Sequence, residues 1–314
     1  MAMIRRKARV SLLLALLALG VGVGATLVRK IPTTSPDQVV KVAPGVYFRQ
    51  GDLKGKSHCN NGFVIFKDFI VVIDANFPSG AEACLADIRK VSKKPVRLVF
   101  DTHHHGDHAY GNPVWTASGA IPVAHENVLK ELERYEPQRW QEASEEREDV
   151  RKLGLSSPQP PVLTYPDRMV IDDGTQRIEL LHFGTAHTRG DGFAYLPQHR
   201  AVFTGDAVVN GPHNYMGDGD THSWIKVISE LEKLDVEMVL PGHGPPSDSN
   251  LLVKQKAFIV ALHAQVEQGM KLGRGLQQLQ DSITLPDSVS LHVGEKLHEQ
   301  IEKVFSEKRT ARQK

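Results

Sequence analysis

Apolar residues fall in short runs along most of this chain, and the runs end at glycine, proline or charged residues. Val39 to Gln50, broken at Pro44-Gly45, then Gly62 to Phe66 and Phe69 to Asp74 are rich in Val, Ile and Phe and predict strands, the last two joined at Lys67-Asp68 as a hairpin. From Ser79 to Val91 the apolar positions recur at helical spacing, and Val96 to Asp101 and Ile121 to Ala124 again read as strands. The second half repeats the plan. Strands are expected at Arg168 to Ile171, Gln176 to Phe183, Gly192 to Leu196 and Ala201 to Phe203, followed by a helix at Ser223 to Leu234 and a strand at Met238 to Leu240. Strands then helix, twice over, suggest an α/β or α+β chain with two sheets face to face and helices outside.

Two stretches stand apart from this plan. A charged helix is expected to start near His125, and Glu131 to Pro161 carries dense Glu and Arg before a Ser/Pro-rich piece; it reads either as a helical lid or as a solvated helix pair far from any site. Past Asn250 the pattern is helical with one apolar face. A second helix is expected near Ser288 to Phe305, with the basic end Lys308 to Lys314 frayed.

The N-terminus has a different chemistry. Ile4 to Arg9 is a basic cluster, and Val10 to Val28 is apolar but for Ser11 and Thr26. That is the form of an export segment, read as a signal peptide cleaved near Val23-Gly-Ala25 or, alternatively, as an N-terminal membrane anchor. Either places the remainder in the periplasm or outside the cell. Residues 31–38 read as a loose Pro/Thr/Ser linker and residues 39–314 as one domain with a helical C-terminal extension. The formal charge of the 314 residues is +1, which gives no electrostatic footprint for nucleic acid. Cys59 and Cys84 are the two cysteines; in an oxidising compartment they could pair, while the apolar setting of Cys84 suits a free buried thiol equally.

Chemistry concentrates after the strand ending at Asp101. Thr102 to His108 holds His103-x-His105-x-Asp107-His108, and alternate residues of a tight loop can face two neighbouring ions. Four donors cannot close two metal sites. Later segments offer His187 in Gly184-Thr-Ala-His, Asp206 in Phe203-Thr-Gly-Asp and His243 in Pro241-Gly-His-Gly, each at the end of an apolar run and near glycine. His104 is out of phase with the pattern and is assigned no ligand role. Asp74 and Asp191 are candidates to orient a ligand histidine through its spare ring N–H. His213, Asn214, Tyr215 and His222 follow Asp206 in a Gly-rich loop and are candidate substrate contacts.

In these residues the chain resembles the metallo-β-lactamase superfamily, and the resemblance spans roughly residues 40 to 250. It implies a four-layer αββα sandwich. It also implies that His103, His105 and His187 hold a first metal, that Asp107, His108 and His243 hold a second, and that Asp206 bridges them. Two divalent ions, zinc first and iron or manganese as substitutes, would then share a hydroxide nucleophile, with Asp107 as proton handler. A small, anionic ester, thioester, lactone or lactam is the expected substrate. Asp206 stands where the better-known lactamases carry cysteine, so a class B β-lactamase is a weaker reading. The same residues are also compatible with a glyoxalase II-like thioesterase, an iron-dependent persulfide dioxygenase or a non-catalytic metal-binding protein.

Overall fold

The computed structural model describes residues 30–55 and 57–313. The expected export segment, residues 1–30, lies outside them apart from Lys30. In the first half, β1 (Val39–Ala43), β2 (Val46–Arg49), β3 (Asn61–Ile65), β4 (Ile70–Ile73), β5 (Val96–Asp101), β6 (Ile121–His125) and β7 (Leu163–Tyr165) form one sheet in that order. Pairing is antiparallel from β1 to β4 and parallel from β4 to β7. The second sheet runs β8 (Arg168–Asp172), β9 (Arg177–Leu181), β10 (Phe193–Leu196), β11 (Ala201–Phe203), β12 (Met238–Leu240) and β13 (Ser247–Asp248). There only β11 and β12 are parallel.

Side-chain alternation sorts each strand between two apolar layers, because successive residues point to opposite faces. Val71 and Ile73 of β4, Ala194 and Leu196 of β10, Ala201 and Phe203 of β11, and Met238 and Leu240 of β12 meet in the layer between the sheets. Their neighbours turn outward. Ile70 and Val72 pack with Val99 against α1 (Pro78–Val91) and Trp115 of α3 (Asn112–Ala117). On the other flank, Phe193, Val202 and Val239 pack with Trp224 and Ile228 of α7 (Thr221–Leu231), Phe258 and Leu262 of α8 (Asn250–Lys271), and Ile301 of α10 (Leu297–Gln313). Helix, sheet, sheet and helix make the four-layer αββα sandwich.

Short elements escaped the periodicity because they are too brief to show a period. These are α2 (Gly106–Ala109) and α3 around the motif loop, β7, β13, and α9 (Leu276–Ser282). The charged stretch is three helices, α4 (Glu126–Tyr135), α5 (Gln138–Glu146) and α6 (Glu148–Arg151). In the tail, Asp287–His292 is a 3-10 turn, and the last helix starts only after Gly294. That helix continues to Gln313 where fraying was expected, and Lys308 within it pairs with Glu267 of α8 at 3.1 Å.

The expected loose linker is fastened to the body: Ile31 packs on the inter-sheet layer, and the Asp37 carboxylate accepts from buried Arg49 at 2.7 Å. Cys59 and Cys84 are both free and buried, so a disulfide between them is set aside. Cys84 faces the core from α1, where burial pushes its thiol pKa up to about 12. Among the described residues no helix is long and apolar enough to cross a membrane.

Candidate metal centre

All seven candidate donors leave the ends of strands on one side of the sandwich. The loop after β5 carries His103, His105, Asp107 and His108; the loop between β9 and β10 carries His187; Asp206 follows β11 and His243 follows β12. Two glycines permit the close approach. Gly205 turns the chain at a φ of 50° just before Asp206. A Cβ on Gly242 would stand 2.1 Å from Asp206 Oδ1, so no other residue fits between the last two donors.

Around the first cluster, His105 Nδ1 lies 3.2 Å from His103 Nε2 and 3.0 Å from His187 Nε2. Outer partners fix which nitrogen of each ring bears hydrogen. His187 Nδ1 must donate to the Tyr215 carbonyl at 2.8 Å, and His105 Nε2 donates to the Asp218 carboxylate at 2.8 Å. His103 Nδ1 lies 3.1 Å from Thr102 Oγ1, whose own hydrogen goes to Asp74 Oδ1 at 2.7 Å, so the ring is the donor there too. Three bare lone pairs therefore face one another. Burial, reinforced by the neighbouring imidazoles, holds His103 well below the usual histidine range and His187 down at about 3, so protons do not relieve the crowding. A cation between them would.

The second cluster alternates imidazoles with carboxylates. His243 Nε2 lies 3.1 Å from Asp107 Oδ2 and 3.3 Å from Asp206 Oδ2, and His108 Nε2 lies 3.5 and 3.4 Å from Asp107 Oδ2 and Asp206 Oδ1. Burial lowers both imidazoles, but their acidic neighbours more than offset it: Asp206 and Asp107 raise His243 to about 9, and Cys59, then Asp107, Asp74 and Asp206, hold His108 well above its ordinary value. Both carboxylates are held well below theirs, burial being outweighed by these rings. In this state protons neutralise what a divalent ion would otherwise neutralise. His108 Nε2, His243 Nε2 and Asp206 Oδ1 are buried without a well-aligned hydrogen-bond partner. Such groups are costly unless something fills the space among them. Asp206 also reaches the first cluster, 3.8 Å from His187 Nε2, and so stands between the two. The donor set fits two divalent cations of the imidazole-and-carboxylate kind.

Asp74 takes the place expected of it geometrically, with Oδ2 3.0 Å from His108 Nδ1. It adopts a φ of 64°, a rare conformation for a side-chain-bearing residue that aims the carboxylate at both Thr102 and His108. Asp191 differs from expectation. It reaches no ligand ring; its oxygens accept from the Ala186 and Thr188 N–H groups and the Thr188 hydroxyl, pinning the backbone turn that carries His187. Burial lifts its pKa to about 7 despite those donors.

The expected substrate contacts divide. His213 stacks obliquely 4.3 Å from His243, and the Tyr215 ring lies 5.6 Å from His105, so both border the donors. Asn214 points the other way: its side chain accepts from Gln255 of α8 and its carbonyl from Gln300 of α10. His222, exposed at the start of α7, lines a surface hollow with Lys303 and Thr310. Neighbours in sequence alternate in direction here, which a loop without periodicity conceals.

Several residues had no sequence signal. His58 Nδ1 lies 2.9 Å from Asp107 Oδ2. Asn60 donates to the Pro241 and Gly244 carbonyls at 2.7 and 2.8 Å and so clamps the His243 turn from both sides. The Cys59 thiol donates to the Asp107 carbonyl. His104 is buried and stacks on Tyr135 of α4. The charged helices thus touch the centre, and the reading that placed them far from it is corrected.

The family description of the metallo-beta-lactamase superfamily matches residues 55–243, which include all seven donors and more than half of the chain. The protein belongs to the metallo-beta-lactamase superfamily, whose members are mostly metal-dependent hydrolases. Metallo-beta-lactamase type 2 of Bacillus sp. (strain 170) is 23% identical over 215 residues, 66% of this chain and 76% of that one. The 2,4-dinitroanisole O-demethylase subunit alpha of Nocardioides sp. (strain JS1661) is 27% identical over 155 residues, 48% of this chain but only 41% of that relative. Among solved structures, a metallo-beta-lactamase from Pontibacter korlensis superposes with a TM-score of 0.57 at 24% identity, covering 71% of this chain and 98% of its own. A stereoselective inverting sec-alkylsulfatase from Pseudomonas sp. gives 0.69 at 17% identity, covering 85% and 49%. At such identities the structural likeness is one of fold.

Proposed function

We propose that this chain is an exported dinuclear metal-dependent hydrolase acting on a small, anionic substrate of the ester, thioester, lactone or lactam type. One observation carries the reading: the Nε2 atoms of His103 and His187 converge on His105 Nδ1, at 3.2 and 3.0 Å, beside a second, carboxylate-rich cluster, with Asp206 between. His103, His105 and His187 would hold one ion, Asp107, His108 and His243 the other, and Asp206 both. Divalent cations bound there would supply a water of lowered pKa and an electrophile for the scissile group.

The chain's own groups do the remaining work. Asp107 Oδ2, between His243 and partly exposed His58, is placed to take up a proton and release it toward solvent. Tyr215 and His213 flank the donors and would contact the substrate. Asp206, and the lack of a cysteine among the seven donors, weigh against a class B β-lactamase, although the Bacillus relative keeps lactams in the test. The basic and apolar sequence of residues 4–28 supports placement outside the inner membrane.

The test is a panel of lactam, lactone, thioester, phosphodiester and sulfate-ester substrates, assayed with zinc-loaded chain and again after chelation. At least one class should be hydrolysed, the activity should vanish with chelator and return with zinc, and Asp206→Asn should cost more than the roughly 10–100-fold typical of losing an outer partner. Hydrolysis that survives chelation, or a panel left wholly untouched, contradicts the proposal.

A further inference from the structure

Helix α5 reaches the first donor cluster through an intermediary. Arg139 donates through both terminal nitrogens to the two oxygens of Asp218, at 2.7 and 3.0 Å, and Asp218 Oδ2 accepts from His105 Nε2 at 2.8 Å. The Asp218 side chain is 6% exposed. On its other side the Arg139 guanidinium lies over the Tyr135 ring, 3.8 Å from its centroid, and Tyr135 in turn stacks on His104. A further tie joins α4 to the His187 loop: Glu131 accepts from Arg189 at 3.3 Å, and Asn127 donates to the Arg189 carbonyl at 3.1 Å. No comparable tie joins these helices to the second cluster among the contacts described, where Asp74, Asn60 and Cys59 are the supports.

We propose that Asp218 and Arg139 are positioning residues for His105, and that through them the docking of helix α5 and cation occupancy of the first site strengthen each other. The inference rests on the metal-binding reading above. Asp218 sits between Gly217 and Gly219, in a stretch of backbone with little intrinsic preference of its own. A bidentate arginine fixes such a carboxylate in one plane, and the fixed carboxylate holds the proton of His105 on Nε2 and the lone pair on Nδ1. A cation on Nδ1 draws electron density from the ring and makes Nε2–H a stronger donor to Asp218. Whatever α5 contributes to the first site, the first site must return to α5, because coupling between two equilibria is reciprocal.

The measurement uses full chain stripped of metal and titrated with zinc against a chromophoric chelator, with His243→Gln identifying which step belongs to the second site. Wild type, Asp218→Asn, Arg139→Gln, Arg139→Lys and the Asp218→Asn/Arg139→Gln double variant are compared, each checked for thermal unfolding without metal. Asp218→Asn, which puts a neutral amide in place of the carboxylate facing His105 Nε2 and leaves one Arg139 nitrogen unpaired, should weaken the first step about 10–100-fold and leave the second unchanged. Arg139→Gln should weaken the same step by less, and the double variant should be no worse than Asp218→Asn alone. Hydrogen exchange across 138–146 should slow when zinc is added to wild type and not when it is added to Asp218→Asn. Should Asp218→Asn not fold, Arg139→Lys decides: it keeps the charge but not the fork, and should weaken the first step alone. Wild-type affinity in the folded variants, a full additive loss in the double variant, or zinc-indifferent exchange in α5 overturns the inference. A wild type that binds no zinc overturns the metal reading itself and this inference with it.

Discussion

A carboxylate facing an imidazole decides which ring nitrogen is left bare, and at Asp74 that decision reaches a donor atom. Asp74 Oδ2 lies 3.0 Å from His108 Nδ1 and its Oδ1 accepts from Thr102, while the Nε2 of His108 faces Asp107 and Asp206. Asparagine fits the positive φ there, keeps an oxygen for Thr102, and offers an N–H where His108 needs an acceptor. Asp74→Asn should therefore fold, yet bind the second zinc about 10–100-fold more weakly, as a zinc competition titration would show; unchanged affinity would remove Asp74 from that role. The seven donors were legible because four share one loop around Gly106 and the other three each follow an apolar run near a glycine. His58, Asn60, Arg139 and Asp218 were not. Asp218 in Gly-Asp-Gly-Asp reads as a turn, and Arg139 as one charge among many on a solvated helix, since nothing local records a partner 79 residues away.

Among the elements, α4 starts from an unusual cap. His125 Nδ1 accepts from the Asn127 N–H at 3.2 Å while Nε2 donates to the Pro166 carbonyl at 2.6 Å, and His182 stacks on the ring at 3.6 Å. A proton on Nδ1 would face that N–H, the positive end of the helix dipole and a second imidazole. Burial first, and His182 second, lower the pKa of His125 to about 4, against the nearby Glu126 carboxylate and with Lys130 adding to the effect. The unfolded chain, with an ordinary value of about 6.5, binds the extra proton more readily between these limits, so this contribution to stability is intact above pH 6.5 and is lost as pH falls toward 4. His125→Asn retains a capping oxygen and cannot titrate. In urea unfolding at a series of pH values it should flatten the slope in that window by up to roughly 3 kcal/mol in all; a slope equal to wild type would show that the cap does not titrate there. Strand identity was readable from runs of Val, Ile and Phe, whereas β7 and β13, at three and two residues, are made by their neighbours' hydrogen bonds and leave no pattern of their own.

At the scale of the molecule, the parallel pairs β4–β5 and β11–β12 bring four strand ends to one side of two packed sheets, and six of the seven donors follow from that arrangement, with His187 supplied by the loop after β9. The sequence pattern specified the faces of the strands but not the strand order, because alternation says which way a side chain points and not which strand lies beside it. The same packing buries both thiols, so native protein should resist a thiol reagent and unfolded protein should release both groups to it, with early modification of either one arguing against the core as described. The central claim is that donors from four distant segments form two cation sites sharing Asp206. Calorimetric titration of metal-stripped chain with zinc tests it most directly. Wild type should take up two equivalents in a folded protein, and a variant lacking both His108 and His243 should take up one. Fewer than two equivalents in wild type, or two in that variant, would contradict the account.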